Sequence, residues 1–457
     1  MILKSDLAKM LYESVKDLPV HDFHCHLSAE DIWQDEPFET ITKLWIDRDN
    51  YIWRIMRYAG IEEKYITGNA SEFDKFKMFA GVVSKLVGSP LSEWCRAQLL
   101  KFFDISLPLC SENAKAIYDE CNRIIKEKNY SPSKILSISN IKFLGTTEDP
   151  LDNLEYHKKM SKRKNDIKIH PTFRSDNAVS IEKREFPVYV NDLSHMTGIP
   201  VNSYTGYLAA MQKRIEYFVS CGCLSSDHLI EDTSGELLDD RALEKIYQKA
   251  FTYETLTVYE ISSFKISTIR NLAAFYNEYG LVSQLHIGAL KNNNTRTLKK
   301  LGQDIGSDTP NDFRIISKLT AYLSSLNRTK SLPKTIIYNA NEKDSHAIAV
   351  ACGNYSKPGS PGHVQHGAAW WHLNSADGIK NQLSVIKNLS MLPYFIGMPS
   401  ESLSFLSFIR HDWFRCILAD FIAKTAEEEA FTNENVLKSL MADISYNNAE
   451  RFFSRII

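Results

Sequence analysis

The sequence predicts an α/β fold, built as a (β/α)8 TIM-type barrel. Short apolar runs rich in β-branched and aromatic residues recur eight times in 457 residues, and each ends abruptly in polar residues. Segments with helical apolar spacing lie between them. A strand–helix–strand crossover takes about 30 residues, and six of the seven intervals between successive run ends, at 27 to 60 residues, hold one. Eight strands alternating with helices point to a parallel barrel. No internal repeat or linker divides the chain, so residues 1–457 are expected to form one barrel unit.

An amphipathic helix opens the chain, with Ser5 or Asp6 near its start. The first strand is LPVHDFHCH (18–26) and the second NIKFLGTT (140–147). The 121 residues between their ends include DKFKMFAGVVSKLVG and SENAKAIYDECNRIIKE, both helical in spacing, so a mostly helical insertion is expected at about residues 30–135. The remaining strands are IKIHPTFR (167–174), CGCLSSDH (221–228), LVSQLHIG (281–288), KTIIYNAN (334–341), HVQHGAAWW (363–371) and YFIGMPSE (394–401). Helical segments such as GELLDDRALEKIYQKAF and NDFRIISKLTAYLSSL separate them. Asp149 ahead of Pro150 reads as an N-cap with a first-turn proline, and NNNT (292–295) as a polar loop opening a helix. The basic run KKMSKRKND (158–166) reads as a solvated helix end.

Composition excludes several classes. Hydrophobic residues make up 44% and charged residues 24%, ordinary globular values. Lys plus Arg number 54 against 56 Asp plus Glu, a net charge of -2, so no nucleic-acid partner is expected. The apolar runs fall well short of the ~20 residues of a membrane helix, and the N-terminus has no apolar signal-peptide centre. Eight cysteines without a CxxC pair predict free thiols and a cytoplasmic setting.

In such barrels chemistry collects where strands run out into loops. The run ends carry His24 and His26, Thr146 and Thr147, Arg174, Asp227 and His228, His286, Asn339 and Asn341, His366, Trp370 and Trp371, and Glu401. This convergence on one face predicts a small-molecule enzyme. In HDFHCHL, His24 and His26 are two apart, so on a strand both project to the same face. Two neutral imidazoles so placed can bind a divalent ion, with a carboxylate from another strand completing the site. His-x-His alone is a weak motif; its place on the first barrel strand favours metal over two unliganded histidines.

HDFHCHL, LWIDRDNYIWRIMRYAGI, ITGNASEFDKF, IKFLGTTEDPLDNLEYH, PTFR, QLHIGALKNNNTR, KTIIYNANEKD, HVQHGAAWW and IGMPSESLSFLSFIRHDWFR together resemble the uronate isomerases, a branch of the amidohydrolase superfamily. The blocks are collinear from about residue 18 to 415. The resemblance implies a distorted (β/α)8 barrel that interconverts D-glucuronate and D-fructuronate, or D-galacturonate and D-tagaturonate. Hydrogen would move between C2 and C1, most simply through a cis-enediol. That path needs a base, electrophilic support for the developing oxyanion, and a cation for the sugar carboxylate.

Carried over residue by residue, the resemblance makes His24 and His26 metal ligands and Glu401 the third, where the family has Asp. Tyr51 and Glu401 become the proton-transfer candidates. Arg174 is the expected anion contact, its planar fork suited to a carboxylate. Trp370 and Trp371 match the family's paired tryptophans, which would wall the sugar. His228 and His286 are further candidates for contacting the sugar or supporting the ligands. Asn50 stands where the family has His, Ser92 and Glu93 where it has Tyr-His, and His366 and His372 where it has Phe. Asn50 and His366 are counted with the sugar-binding candidates. Leu403 replaces an arginine that helps bind the sugar acid, leaving Arg54, Arg57, Arg96 and Arg410 as replacements. Zinc is the first expectation for the metal, with manganese, iron and nickel also compatible. A metal-dependent hydrolase of a lactone, ester or amide, and a non-catalytic sugar-acid-binding relative, are the alternatives. A small sugar acid is the expected partner, and a barrel of this size is compatible with a homo-oligomer.

Overall fold

The computed structural model describes residues 3–163, 167–231 and 234–454. The strands are β1 (Val20–Asp22), β2 (Ile141–Glu148), β3 (Lys168–Arg174), β4 (Ser225–Ile230), β5 (Val282–Ile287), β6 (Ala289–Leu290), β7 (Thr309–Pro310), β8 (Thr335–Asn339) and β9 (Val364–His366). Seven of them form one sheet in the order β1-β2-β3-β4-β5-β8-β9, parallel throughout. Helices pack outside it, giving a distorted (β/α)8 barrel. β6 and β7 pair as a separate antiparallel ribbon.

Between β1 and β2 the chain is helical, from Ala29–Gln34 through Glu72–Val83, Pro90–Phe103 and Ala114–Glu127 to Pro132–Ile138. Pro90 sits in the first turn, where its missing N–H costs nothing. Trp45, Phe76, Phe79, Phe102 and Phe103 are buried there in one apolar cluster with Trp413 and Phe414. A second cluster includes Phe173, Tyr204, Tyr247, Phe264 and Tyr276. Each such side chain contributes about 1.5–3 kcal/mol on burial.

Two expectations about strands change. β1 ends at Asp22, so His24 and His26 lie in the extended stretch beyond it. This stretch stays pinned to β2, Cys25 N–H donating to the Gly145 carbonyl at 2.8 Å. Only glycine fits at 145, because a Cβ there would lie 2.6 Å from the Phe23 carbonyl oxygen. The eighth run, 394–401, is not a strand. Gly397 has φ +83, Pro399 lacks an N–H, and Glu401 is left-handed at φ 53, so the alternation of an extended chain breaks. The segment nevertheless closes the ring. Glu401 N–H donates to the His24 carbonyl (3.2 Å), and His26 N–H to that of Ser402 (2.9 Å). On the other side, Ile396 N–H donates to Gln365 Oε1 at 3.2 Å.

Two local readings also differ. Asp149 caps no helix; its Oδ1 accepts from Leu151 N–H in a turn, and the helix begins later, at Glu155–Met160. That helix covers the start of the basic run, whose residues 164–166 lie outside the described residues. Ser5 and Asn294 do cap the helices Asp6–Glu13 and Thr295–Leu301.

The barrel interior is polar. Thr172 Oγ1 lies 3.2 Å from Ser225 Oγ, which accepts from Gln284 Nε2 at 3.4 Å. Tyr338 donates its hydroxyl to Gln284 Oε1 at 3.1 Å. Two residues further along the same strands come Arg174, Asp227 and His286, facing the same way. A satisfied polar layer therefore supports the layer that carries the charges.

Candidate functional site

Five ionisable side chains meet above that layer. His24 Nε2 is 3.6 Å from Glu401 Oε1 and 3.9 Å from Asp227 Oδ2. His26 Nε2 is 3.4 Å from Glu401 Oε2, and His286 Nε2 is 3.4 Å from Glu401 Oε1. His286 Nδ1 donates to Asp227 Oδ1 at 2.7 Å. Arg174 joins from β3, its Nη1 3.1 Å from Asp227 Oδ2 and its Nε 2.8 Å from Asp176 Oδ2.

The electrostatics follow from burial and neighbours. Burial holds His24 neutral, pushing its pKa down to about 4. Burial would also lower that of His286, but Asp227 and Glu401 outweigh it and raise it to about 9. The Glu401 carboxyl, which burial alone would raise, is held well below its usual range by His24, His26 and His286. Asp227 is likewise held low against burial, by Arg174, His286 and His24.

This donor set suits a divalent cation. The ligand atoms of His24, His26 and Glu401 lie within 4.8 Å of one another, as do those of His24, Asp227 and His286. Glu401 Oε1 and His286 Nε2 are buried without a hydrogen-bond partner in good geometry. The His26 tautomer also fits. Thr147 donates its hydroxyl to the Cys25 carbonyl (3.4 Å), so it accepts from His26 Nδ1–H (3.1 Å) and leaves the Nε2 lone pair facing Glu401. The His24–His26–Glu401 set is the better one, because Asp227 already serves His286 and Arg174.

His24, His26, His286 and Glu401 of this cluster, with Arg174, line a cavity of about 540 Å³. Asn50, Tyr51, Trp370, Trp371 and Leu403 line it. Asp49 caps the helix Asn50–Tyr58, accepting from the Tyr51 N–H at 3.0 Å, which turns Asn50 and Tyr51 towards the barrel mouth. The aromatic wall is continuous. Tyr338 stacks on His286 (4.4 Å between centroids), and Trp370 lies 4.6 Å from His286 and 5.5 Å from Trp371. His372 stacks on Trp371 at 4.8 Å and meets Tyr51 edge-on at 6.2 Å. Burial raises the Tyr51 phenol, which therefore stays protonated.

Two expected sugar contacts lie elsewhere. His228 faces outward, its Nδ1 3.0 Å from Ser175 Oγ and its ring 5.5 Å from that of Tyr276, and burial keeps it neutral with a pKa near 4. The strand alternation turns its neighbour Asp227 inward instead. His366 also faces the outer layer, with Nε2 2.7 Å from Asn339 Oδ1 and 3.3 Å from Gln382 Nε2 on the helix Ala376–Leu389. Neither lines the cavity. Sequence reasoning noted Asp227 at a run end but carried only its neighbour His228 forward as a site residue. It also passed over Lys291, Asp304 and Asp308, which the β6–β7 ribbon and its connecting loop bring to the rim.

The comparisons with known proteins agree along the whole chain. The sequence profile of the glucuronate isomerase family matches residues 1–453. The chain belongs to the glucuronate isomerase family. It is 40% identical over 454 residues to the uronate isomerase of Caldanaerobacter subterraneus subsp. tengcongensis, covering 99% of this chain and 97% of that one. It is 39% identical over 455 residues to the uronate isomerase of Caldicellulosiruptor bescii, covering 99% and 98%. Among solved structures, the uronate isomerase of Thermotoga maritima superposes with a TM-score of 0.93 at 30% identity, covering 99% and 98%. The glucuronate isomerase of Caulobacter crescentus shares the fold, with a TM-score of 0.91 at 23% identity, covering 99% and 95%. Within this family the chain's Glu401 reaches all three histidines from a left-handed backbone, while Leu403 presents an uncharged side chain to the same cavity.

Proposed function

We propose that this chain isomerises a hexuronate, D-glucuronate or D-galacturonate, to its 2-ketose by moving a proton between C2 and C1. The observation that carries the reading is the cluster of three histidines and two carboxylates at the cavity, in a chain that matches the glucuronate isomerase family over residues 1–453. His24, His26 and Glu401 would hold a divalent metal, zinc being the first choice for imidazole and carboxylate donors. Bound there, it would supply a Lewis acid that withdraws charge from a sugar oxygen.

The chain's own groups account for the rest. Glu401 has two oxygens, one facing His24 and His286 and the other His26, so one can carry the migrating proton. A carboxylate held this low is a weak base, so the enediolate must be stabilised strongly. The N–H groups of His286 and Arg174 and the neutral Tyr51 phenol are the donors available for that. Trp370 and Trp371 offer an apolar face to the sugar's C–H bonds and keep water out. The eight cysteines are free thiols, which fits a reducing compartment such as the cytoplasm. Among the described residues no helix is long and apolar enough to cross a membrane.

The test is proton NMR of metal-loaded protein with each uronate in deuterated water. Ketose formation together with loss of the C2 proton signal is expected. A folded, loaded sample giving neither with both sugars overturns the reading. Lactone hydrolysis without exchange would then select the hydrolase alternative, and tight binding without chemistry the binding-only one.

A further inference from the structure

Glu401 reaches the three histidines from a backbone conformation that few residues adopt. At φ 53 it lies in the left-handed region, which a residue with a Cβ occupies only when its surroundings hold it there. The run 394–401 is not a strand, so no ladder does the holding. The grip falls instead on the residue before it. Ser400 is fully buried, and its N–H, carbonyl and hydroxyl oxygen are all engaged. The N–H donates to Asp22 Oδ1 at 2.9 Å, the carbonyl accepts from Arg410 Nη1 at 2.9 Å, and the hydroxyl oxygen accepts from Ser402 N–H at 3.1 Å. Arg410 belongs to the helix Ile409–Glu428 that follows the turn. Asp22 comes from the far end of the chain.

Asp22, His24 and His26 alternate along one segment, and each meets the turn. Asp22 does so through its carboxylate to Ser400, His24 through its carbonyl to Glu401 N–H (3.2 Å), and His26 through its N–H to the Ser402 carbonyl (2.9 Å). One seam therefore sets the spacing of the His24–His26–Glu401 group. Of its three bonds, the one from Asp22 is made by a side chain, and an ionised acceptor on a buried N–H makes it the strongest. His411 Nε2 stands 3.5 Å from the other carboxylate oxygen, Oδ2, on the side away from the turn. Asp22 is itself fully buried and is not part of the cavity wall.

We propose that Asp22 is a positioning residue for the metal site: by holding the Ser400 N–H it fixes the left-handed turn that presents Glu401 to His24 and His26. The inference rests on the reading that those three residues hold the metal. Its distinctive consequence is that Asp22 governs metal affinity through Glu401 while touching no ligand itself.

The experiment measures zinc affinity by competition with a chromophoric chelator, beside urea denaturation of the zinc-free protein. D22A leaves the Ser400 N–H without an acceptor and should bind zinc roughly 10- to 100-fold more weakly, the range typical of groups that orient a metal ligand. D22N also loses the charge but keeps an oxygen at the same reach, so it should stay within about fivefold of the wild type. The loss should run through Glu401: added to E401Q, D22A should cost less than about threefold more, because coupled sites are not additive. A purely structural role predicts lower zinc-free stability with zinc affinity unchanged, and that result overturns the inference. A D22N loss equal to that of D22A assigns the effect to charge and overturns it, as does a full D22A loss in the E401Q background. If D22A does not fold, D22N decides: a zinc loss as large as that of E401Q overturns the inference. E401Q binding zinc as the wild type does removes Glu401 from the metal site and overturns it too. Zinc binding by the wild type without isomerisation would sink the isomerase reading and leave this one standing. Failure of the wild type to bind zinc would sink the metal site and this inference with it.

Discussion

Asp227 is where charge is most concentrated, and replacing it by Asn tests the site directly. The carboxylate is 1% exposed, 2.7 Å from His286 Nδ1 and 3.1 Å from Arg174 Nη1. Removing one partner of a buried pair typically costs about 3–5 kcal/mol, because the other charge is left uncompensated. Two features place D227N near the lower end, at about 3 kcal/mol. Arg174 keeps Asp176 at 2.8 Å, and His286 keeps Glu401 at 3.4 Å and can lose its proton. The control is D176N. That pair is 29% exposed on both sides, so solvent screening should hold its cost to about 1 kcal/mol or less. The assay is urea denaturation of both variants in parallel with kcat/KM. D227N should lose roughly a hundredfold or more in kcat/KM by disorienting His286 and Arg174, while D176N loses much less. Equal stability costs for the two variants, or a D227N loss below about 1 kcal/mol, would refute the reasoning.

E401Q keeps the shape but removes the only carboxylate in the His24–His26–Glu401 set, so zinc affinity should fall by roughly a hundredfold or more, read by competition with a chromophoric chelator. Unchanged zinc affinity would move the metal to the His24–Asp227–His286 set. H228N should cost about 1–3 kcal/mol in stability through the buried contact with Ser175, yet change KM less than about threefold. A large KM change would mean that His228 reaches the sugar after all. Burial pushes Glu148 up to about 8 from an ordinary 4.5, so the folded state holds that proton more tightly than the unfolded chain. Its stabilising effect is complete below about pH 4.5 and is lost as pH rises towards 8, at about 1.4 kcal/mol per pH unit. His157, 3.4 Å away, is pushed down to about 4 by burial and so acts below pH 6.5. Between pH 6.5 and 8 His157 no longer contributes, and His286, raised to about 9, contributes alike to wild type and variant, so E148Q should make denaturation free energies flatter there; an unaltered slope counts against it.

Much of the fold and part of the site were legible in the chain. Periodicity and spacing are local properties, so seven strands, the helices after β1 and the caps at Ser5 and Asn294 could be read from neighbouring residues. His24 and His26 also came through, because a two-residue spacing puts both on one side of any extended segment, whether or not it pairs as a strand. The run 394–401 misled because its apolar residues mimic a strand, while Gly397, Pro399 and the left-handed Glu401 break the alternation. His228 and Asp227 show the limit most plainly. Adjacent residues on a strand face opposite sides, and nothing within DHLI says which side is the barrel interior.

By itself, then, the sequence determined the barrel class, the family and the histidine pair on which the site is built. Only the tertiary structure decided which polar residue on each strand turns inward and how the 400–403 turn aims Glu401 at three histidines. Those outcomes depend on contacts between residues hundreds of positions apart, Asp22 with Ser400 and His26 with Ser402 among them. Local pattern carries no record of such contacts, since the free energy that selects them exists only once the ring has closed.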